Sequence, residues 1–182
     1  MNVIGLCGYS GAGKTTLVER LIPLLRLEGQ RVSVLKHAHH DFDVDHVGKD
    51  SWRHREAGAF EVVIASDRRL AKMREYPALR PPDLHELIAE LAACDWVLVE
   101  GFKHAALPKI EVWRAATGKP ALFPHDGHVV AVATDRPEDL PLPTALPVFG
   151  LDDVSAIANF LMHSAGRWAY RAPTAVPPTA NL

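Results

Sequence analysis

Asn2-Val3-Ile4-Gly5-Leu6-Cys7-Gly8-Tyr9-Ser10-Gly11-Ala12-Gly13-Lys14-Thr15-Thr16 opens the chain and decides its fold. Residues 2–7 are an apolar run of strand length. Gly8 to Thr15 then match G-x-x-x-x-G-K-[ST], the phosphate-binding P-loop. The glycines let backbone N–H groups turn inward around phosphate oxygens, and the helix that follows aims its positive end at the same anion. In such a loop Lys14 reaches the β- and γ-phosphates and the Thr15 hydroxyl ligates Mg²⁺. Gly8, Ser10, Gly11, Ala12, Gly13, Lys14, Thr15 and Thr16 are therefore the candidate phosphate-binding residues, with Lys14 also a candidate for catalysis. An apolar strand precedes the loop and an amphipathic helix follows, and a glycine turn that merely joined them would leave Lys14 and Thr15 unexplained.

Working outward, Leu17, Val18, Leu21, Leu24 and Leu25 fall near helical spacing, predicting a helix over 14–28 that stops at Gly29. Pro23 lies inside it and is expected to kink it or loosen its bonding. Strands are expected at 31–36, 61–65, 68–74, 96–99, 109–114, 128–134 and 146–149. A short helix over 50–57 would be capped by Asp50 or Ser51, one from Asp83 by a capping box with Glu86, and a last one by Asp152 or Asp153. Strands alternating with amphipathic helices imply an α/β fold, a three-layer P-loop NTPase whose mostly parallel sheet is covered by helices on both faces through right-handed crossovers. The expected organisation is one P-loop GTPase-like domain over residues 1–168 and a disordered Pro-rich tail over 169–182.

Composition agrees with that reading. The chain has 182 residues, 48% of them hydrophobic and 23% charged, with a formal net charge of −2. That is enough apolar residue for a core, and it excludes collagen, coiled-coil and disulfide-scaffold classes. There is no basic excess to suggest nucleic acid or an anionic membrane. No stretch approaches the ~18 apolar residues of a membrane helix, and the N-terminus has no basic n-region. Cys7 and Cys94 are far apart and flanked by apolar residues, as reduced thiols of a cytoplasmic protein would be.

Three further stretches carry chemistry. Asp95-Trp96-Val97-Leu98-Val99-Glu100-Gly101 is a buried strand ending in a carboxylate, in the manner of a Walker B element, so Glu100 joins Thr15 as a candidate Mg²⁺ ligand. Gly101 would let the chain pass close to the γ-phosphate. The polar run Lys36 to Asp50 follows the second strand, at the carboxyl end of the sheet where open α/β folds bind ligands. There Asp43 and Asp45 are candidates for ordering the attacking water or the Mg²⁺ shell. His37, His39 and His40 are candidates for contacting phosphate, His37 foremost, or for binding a transition metal. The same run also reads as a solvated loop. No [NT]-K-x-D element marks a base pocket. Asp135 follows a strand and can accept from both N1–H and N2–H₂ of guanine, a donor pair adenine lacks, or it caps a turn before Pro137.

The P-loop with Leu35-Lys36-His37-Ala38-His39-His40-Asp41, Asp43-Val44-Asp45, Gly48-Lys49-Asp50-Ser51 and Val99-Glu100-Gly101-Phe102-Lys103 resembles the molybdopterin-guanine dinucleotide biosynthesis protein B (MobB) family, over about residues 1–165. The resemblance implies a GTP-binding, weakly GTP-hydrolysing homodimer of molybdenum cofactor maturation, using GTP and Mg²⁺. It implies a MobA-type guanylyltransferase as partner and raises molybdopterin as a further ligand. Dimerising P-loop relatives often carry an extra lysine early in the loop; Tyr9, Ser10, Gly11 and Ala12 stand there instead, so no lysine from a partner subunit is expected at the γ-phosphate. Two other readings remain at this stage. A small-molecule kinase would need an arginine-rich lid, for which Arg68, Arg69 and Arg74 are the one cluster. A metallochaperone would use the histidines. Slow turnover is expected because no arginine finger is evident beside the P-loop. Phe102, Ala105, Ala106 and Leu107 are expected to offer a docking or dimer surface.

Overall fold

The structure, a computed structural model, describes residues 1–38, 42–76 and 83–172. Of the expected Pro-rich tail, residues 173–182 lie outside the described residues. The chain divides into two compact units, the first comprising residues 1–37 and 83–182 and the second residues 38–82.

The first unit is built on a six-stranded parallel sheet. Its strands are β1 (Asn2–Cys7), β2 (Val32–Lys36), β5 (Trp96–Glu100), β6 (Lys109–Trp113), β7 (Val129–Thr134) and β8 (Val148–Gly150), in the order β2-β5-β1-β6-β7-β8. The period-two alternation of a strand sends successive side chains to opposite faces. Ile4 and Leu6, with Trp96, Leu98, Ile110, Val112, Ala131 and Ala133, pack on one face against α1 (Lys14–Leu27) and α4 (Val154–His163). Val3, Val97 and Val99 pack on the other face with Leu84 and Ile88 of α3 (Leu84–Ala89). Helices thus cover both faces, the α/β P-loop-like architecture expected from sequence.

Local signals explain most boundaries. The Asp83–Glu86 capping box forms, with the Asp83 carboxylate accepting from His85 N at 2.7 Å, and the Asp153 side chain caps α4. Pro23 does not interrupt α1. It is exposed and its ring tolerates a helix that has tertiary packing on its opposite side, through Leu17, Val18, Leu21 and Leu25. Cys7 is buried in the sheet, where loss of hydration pushes its thiol up to about 12, with the nearby Glu111 carboxylate adding to the effect. Cys94 is half-buried, and both cysteines are free thiols.

In the second unit, α2 (Asp50–Glu56) is followed by β3 (Glu61–Ala65) and β4 (Leu70–Arg74), which pair with each other antiparallel. These two strands do not enter the parallel sheet. Only four residues, Ser66 to Arg69, separate them, a hairpin length that cannot carry a parallel crossover. The cap of α2 also differs from expectation. Its N-cap position is Lys49, without a side-chain cap bond, and Ser51 instead donates its hydroxyl to the Asp45 carboxylate at 2.8 Å. Phe42, Val44, Val47, Phe60, Val63, Ile64, Leu70 and Tyr76, all of this unit, are exposed large apolar side chains.

Candidate functional site

The loop between β1 and α1 sits at the carboxyl edge of the sheet. Gly8 is required there twice over. Its φ is 130°, and a Cβ on it would overlap the Val112 carbonyl oxygen of the neighbouring strand. The loop therefore lies flush on β6. Ala12 anchors it in the core, whereas Ser10, Gly11, Thr15 and Thr16 are exposed. Lys14 turns back over the loop and donates to the Tyr9 carbonyl at 2.8 Å. Partial burial lowers the Lys14 ammonium below its ordinary range against the opposing pull of Glu100, while Lys36 and Lys103 push in the same direction as burial.

Sheet register brings the second carboxylate element alongside. β5 is the immediate neighbour of β1, with Leu6 paired to Glu100. The Thr15 hydroxyl donates to Glu100 Oε1 at 2.6 Å, across 85 residues of chain. Glu100 is 7% exposed, and Lys36 Nζ lies 3.4 Å from the same Oε1 atom. A hydroxyl and a carboxylate oxygen converging at the mouth of a P-loop form a hard-oxygen donor set of the kind Mg²⁺ takes. No group of three or more His, Cys, Asp or Glu side chains able to hold a metal occurs among the described residues.

Gly101 and Phe102 follow with φ of 92° and 44°, two successive left-handed residues. The close approach that Gly101 permits is to His37, whose Cβ would lie 2.9 Å from a Cβ at Gly101. The His37 N–H donates to the Glu100 carbonyl at 3.0 Å, and its ring lies 4.8 Å from that of Phe102. His37 thus closes the edge of the site. His39 and His40 lie outside the described residues. The segment expected to offer a docking surface packs instead on the sheet. Leu107 is buried with Val97 and Val99, and Phe102 and Ala105 pack against them; Ala106 is exposed. A β-turn bond from Ala105 N to the Phe102 carbonyl and a γ-turn bond from Leu107 N to the Ala105 carbonyl fold this loop down onto β5. The buried Lys109 ties it from beneath by donating to the Lys103 carbonyl at 2.9 Å and to Asp126 at 2.8 Å.

Asp135 is exposed at the end of β7. The turn that follows is held by Thr134, whose hydroxyl accepts from Arg136 N at 3.3 Å, so Asp135 is not its cap. Asp135 faces Arg114, the residue just beyond β6, at 3.9 Å. Sequence reasoning missed Lys36, Lys103 and Arg114. Lys103 Nζ stands 4.8 Å from the centre of the Tyr9 ring, a cation–π distance. Each of these cations is brought to the P-loop by strand order, which no local pattern encodes.

Asp43 and Asp45 belong to the second unit. There Asp43 accepts from Asp45 N and from Arg55 Nη2, each at 2.8 Å, and the Asp45 carboxylate accepts from His46 N at 2.9 Å. Arg55 also reaches Glu75 at 3.0 Å. The backbone bond from Asp45, then the Arg55 guanidinium, hold the Asp43 carboxyl below the ordinary Asp range. Of the arginines considered as a lid, Arg74 is paired with Glu61 at 2.6 Å and lies over the Phe60 ring at 5.9 Å.

A parallel α/β sheet with a glycine-rich strand-to-helix loop at its edge is the P-loop class of architecture. Within that class the profile of molybdopterin guanine dinucleotide synthesis protein B (MobB) matches residues 3–135, and the chain belongs to this family. It is 44% identical over 167 residues to the molybdopterin-guanine dinucleotide biosynthesis adapter protein of Haemophilus influenzae, covering 90% of this chain and 92% of that one. The Escherichia coli adapter protein is 40% identical over 163 residues, 88% of this chain and 91% of its own. A crystal structure of molybdopterin-guanine biosynthesis protein B superposes with a TM-score of 0.69 at 33% identity, covering 88% of this chain and 97% of that chain. No helix among the described residues is long and apolar enough to cross a membrane.

Proposed function

We propose that this chain is a GTP-binding, weakly GTP-hydrolysing adapter of molybdenum cofactor maturation, acting in the cytoplasm with a MobA-type guanylyltransferase that forms molybdopterin guanine dinucleotide. The observation that carries the nucleotide reading is the 2.6 Å bond between Thr15 and the buried Glu100, made beside Lys14. A buried carboxylate loses hydration and is retained where a cation or donor repays that loss. Thr15 and Glu100 would hold Mg²⁺, whose charge offsets that of the triphosphate. Lys14 supplies a point charge to the β- and γ-phosphates, and the exposed N–H groups of the loop donate to the same oxygens. Asp135 is assigned to the guanine N1–H and N2–H₂ donors. Nucleotide binding is thereby confined to the first unit, and Asp43 and Asp45 are assigned a part in turnover alone. The exposed apolar residues of the β3–β4 hairpin support a homodimer, since a two-stranded ribbon buries too little to stand alone in water.

Calorimetric titration with GTP and ATP, paired with phosphate release, tests this reading. GTP is expected to bind more tightly than ATP in the presence of Mg²⁺. Intrinsic hydrolysis is expected at roughly 10⁻⁴ to 10⁻² per second, the range of P-loop proteins that lack a donated arginine. Added MobA-type guanylyltransferase with molybdopterin is expected to reveal the functional role through faster dinucleotide formation. Turnover of several per second with GTP alone, or phosphate transfer to a small metabolite, would overturn the adapter reading in favour of a kinase.

A further inference from the structure

β6 lies between β1 and β7 in the sheet. The P-loop leaves the carboxyl end of β1, and Asp135 stands just past the carboxyl end of β7. A purine nucleotide with its phosphates on the first and its base on the second must cross the end of the strand between them. The residue placed there is Arg114. Its guanidinium rests against the P-loop: a Cβ built on Gly13 would meet Nη2 at 3.4 Å and Cζ and Nε at 3.7 Å. On its other side, Nε lies 3.9 Å from Asp135 Oδ2, too far for a hydrogen bond. Nε is itself buried and has no hydrogen-bond partner. The side chain as a whole is 39% exposed, so part of the group remains open to solvent.

We propose that Arg114 is a nucleotide-binding residue that stacks on the purine and sets Asp135 against the base edge. This rests on the guanine-nucleotide reading above and adds to it the residue that joins the phosphate and base ends of the site. The chemistry is specific to arginine. A guanidinium is planar, permanently charged and weakly hydrated, and it stacks on aromatic faces while its edge donates to a carboxylate. A lysine at the same place is a hydrated point charge without a plane. The close approach also gives Gly13 a packing role, because a side chain there would push into the guanidinium.

The test compares GTP with inorganic tripolyphosphate, which presents the phosphates without a base, on wild-type protein and on Arg114→Met and Arg114→Lys. Arg114→Met is expected to weaken GTP about tenfold and to leave tripolyphosphate within about twofold. Arg114→Lys, the more conservative change, should recover little of the GTP loss. Circular dichroism of both variants should match wild type; an unfolded methionine variant leaves the lysine variant to decide. Equal losses for GTP and tripolyphosphate would mean that Arg114 only braces the loop, and would overturn the proposal. So would full recovery by lysine, or GTP affinity unchanged in both variants. Wild-type protein that binds tripolyphosphate but not GTP would instead sink the guanine-nucleotide reading, and this proposal with it.

Discussion

The Lys14–Thr15–Glu100 group of the first unit and the Asp43–Asp45–Arg55 group of the second are both tight clusters of charge, and they are balanced in opposite ways. In the second, one arginine meets three carboxylates. Asp43 and Glu75 are bonded to Arg55 at 2.8 and 3.0 Å, Asp43 and Asp45 also accept from backbone N–H groups and Ser51, and the buried Asp45 Oδ2 and Arg55 Nε stand 3.3 Å apart without a hydrogen bond. Such a group pairs most of its charge internally. In the first, Lys14 is lowered by burial and spends its bond on its own loop's carbonyl, while three lysines and one buried acid surround a mouth lined by exposed Ser10, Gly11, Thr15 and Thr16. Excess positive charge around an open backbone cradle is what an anionic ligand repays. The difference fits a phosphate-binding part for the first group and a part outside ligand binding for the second.

The comparison breaks first at Lys14. Lys14→Ala should lower GTP affinity by at least ~100-fold with the fold retained, since the side chain is half-buried over the loop and lies outside the core clusters. Binding within about threefold of wild type would put the phosphate site elsewhere. A smaller effect is expected at Asp135. Asp135→Asn should cut the GTP-over-ATP preference roughly tenfold, because the amide offers one acceptor where the carboxylate offers two. A preference unmoved in competition titrations would relocate the base pocket.

The smallest effect on binding belongs to the second unit. Arg55→Met should leave GTP affinity within about twofold. It should raise the Asp43 titration midpoint seen by NMR only part of the way to the ordinary Asp range of about 3.9, because the largest cause of the depression is the Asp45 N–H bond, which remains. The sign follows from linkage. Asp43 is held below its unfolded value, so its contribution to stability is complete above about pH 4 and is lost as the pH falls through the folded value. Loss of GTP binding in Arg55→Met would show that this group takes part in nucleotide binding and not in turnover alone.

The glycine-rich strand-to-helix loop, the buried strand ending in Glu100 and the α/β alternation were legible because each is a local pattern. Gly8 to Thr15 and Trp96 to Glu100 carry their own strand, turn and charge. The capping box at Asp83 was legible for the same reason. The β3–β4 hairpin was not assigned to a separate ladder, because Glu61–Ala65 has the same β-branched content as a sheet strand and only the short connection tells them apart. Of the expected docking surface at Phe102 to Leu107, Leu107 is buried and Phe102 and Ala105 are half-buried, because burial depends on what Val97 and Val99 face, and that is set by tertiary packing. Lys36 and Arg114 were invisible for a further reason. Lys36 reaches Glu100 through the β2–β5 register, and Arg114 reaches Gly13 through the position of β6 beside β1. Neither adjacency is written along the chain.

Thr15 and Glu100 are proposed above to form a Mg²⁺-dependent phosphate centre. It is tested most directly by titrating GTP into wild-type protein and Glu100→Gln, with Mg²⁺ and with EDTA. The amide keeps the shape and the bond from the Thr15 hydroxyl but removes the charge a divalent cation needs. A loss of about tenfold or more is expected with Mg²⁺, and little change in EDTA. Equal losses under both conditions, or none under either, would contradict it and leave Glu100 as a buried partner of Lys36 and Thr15 alone.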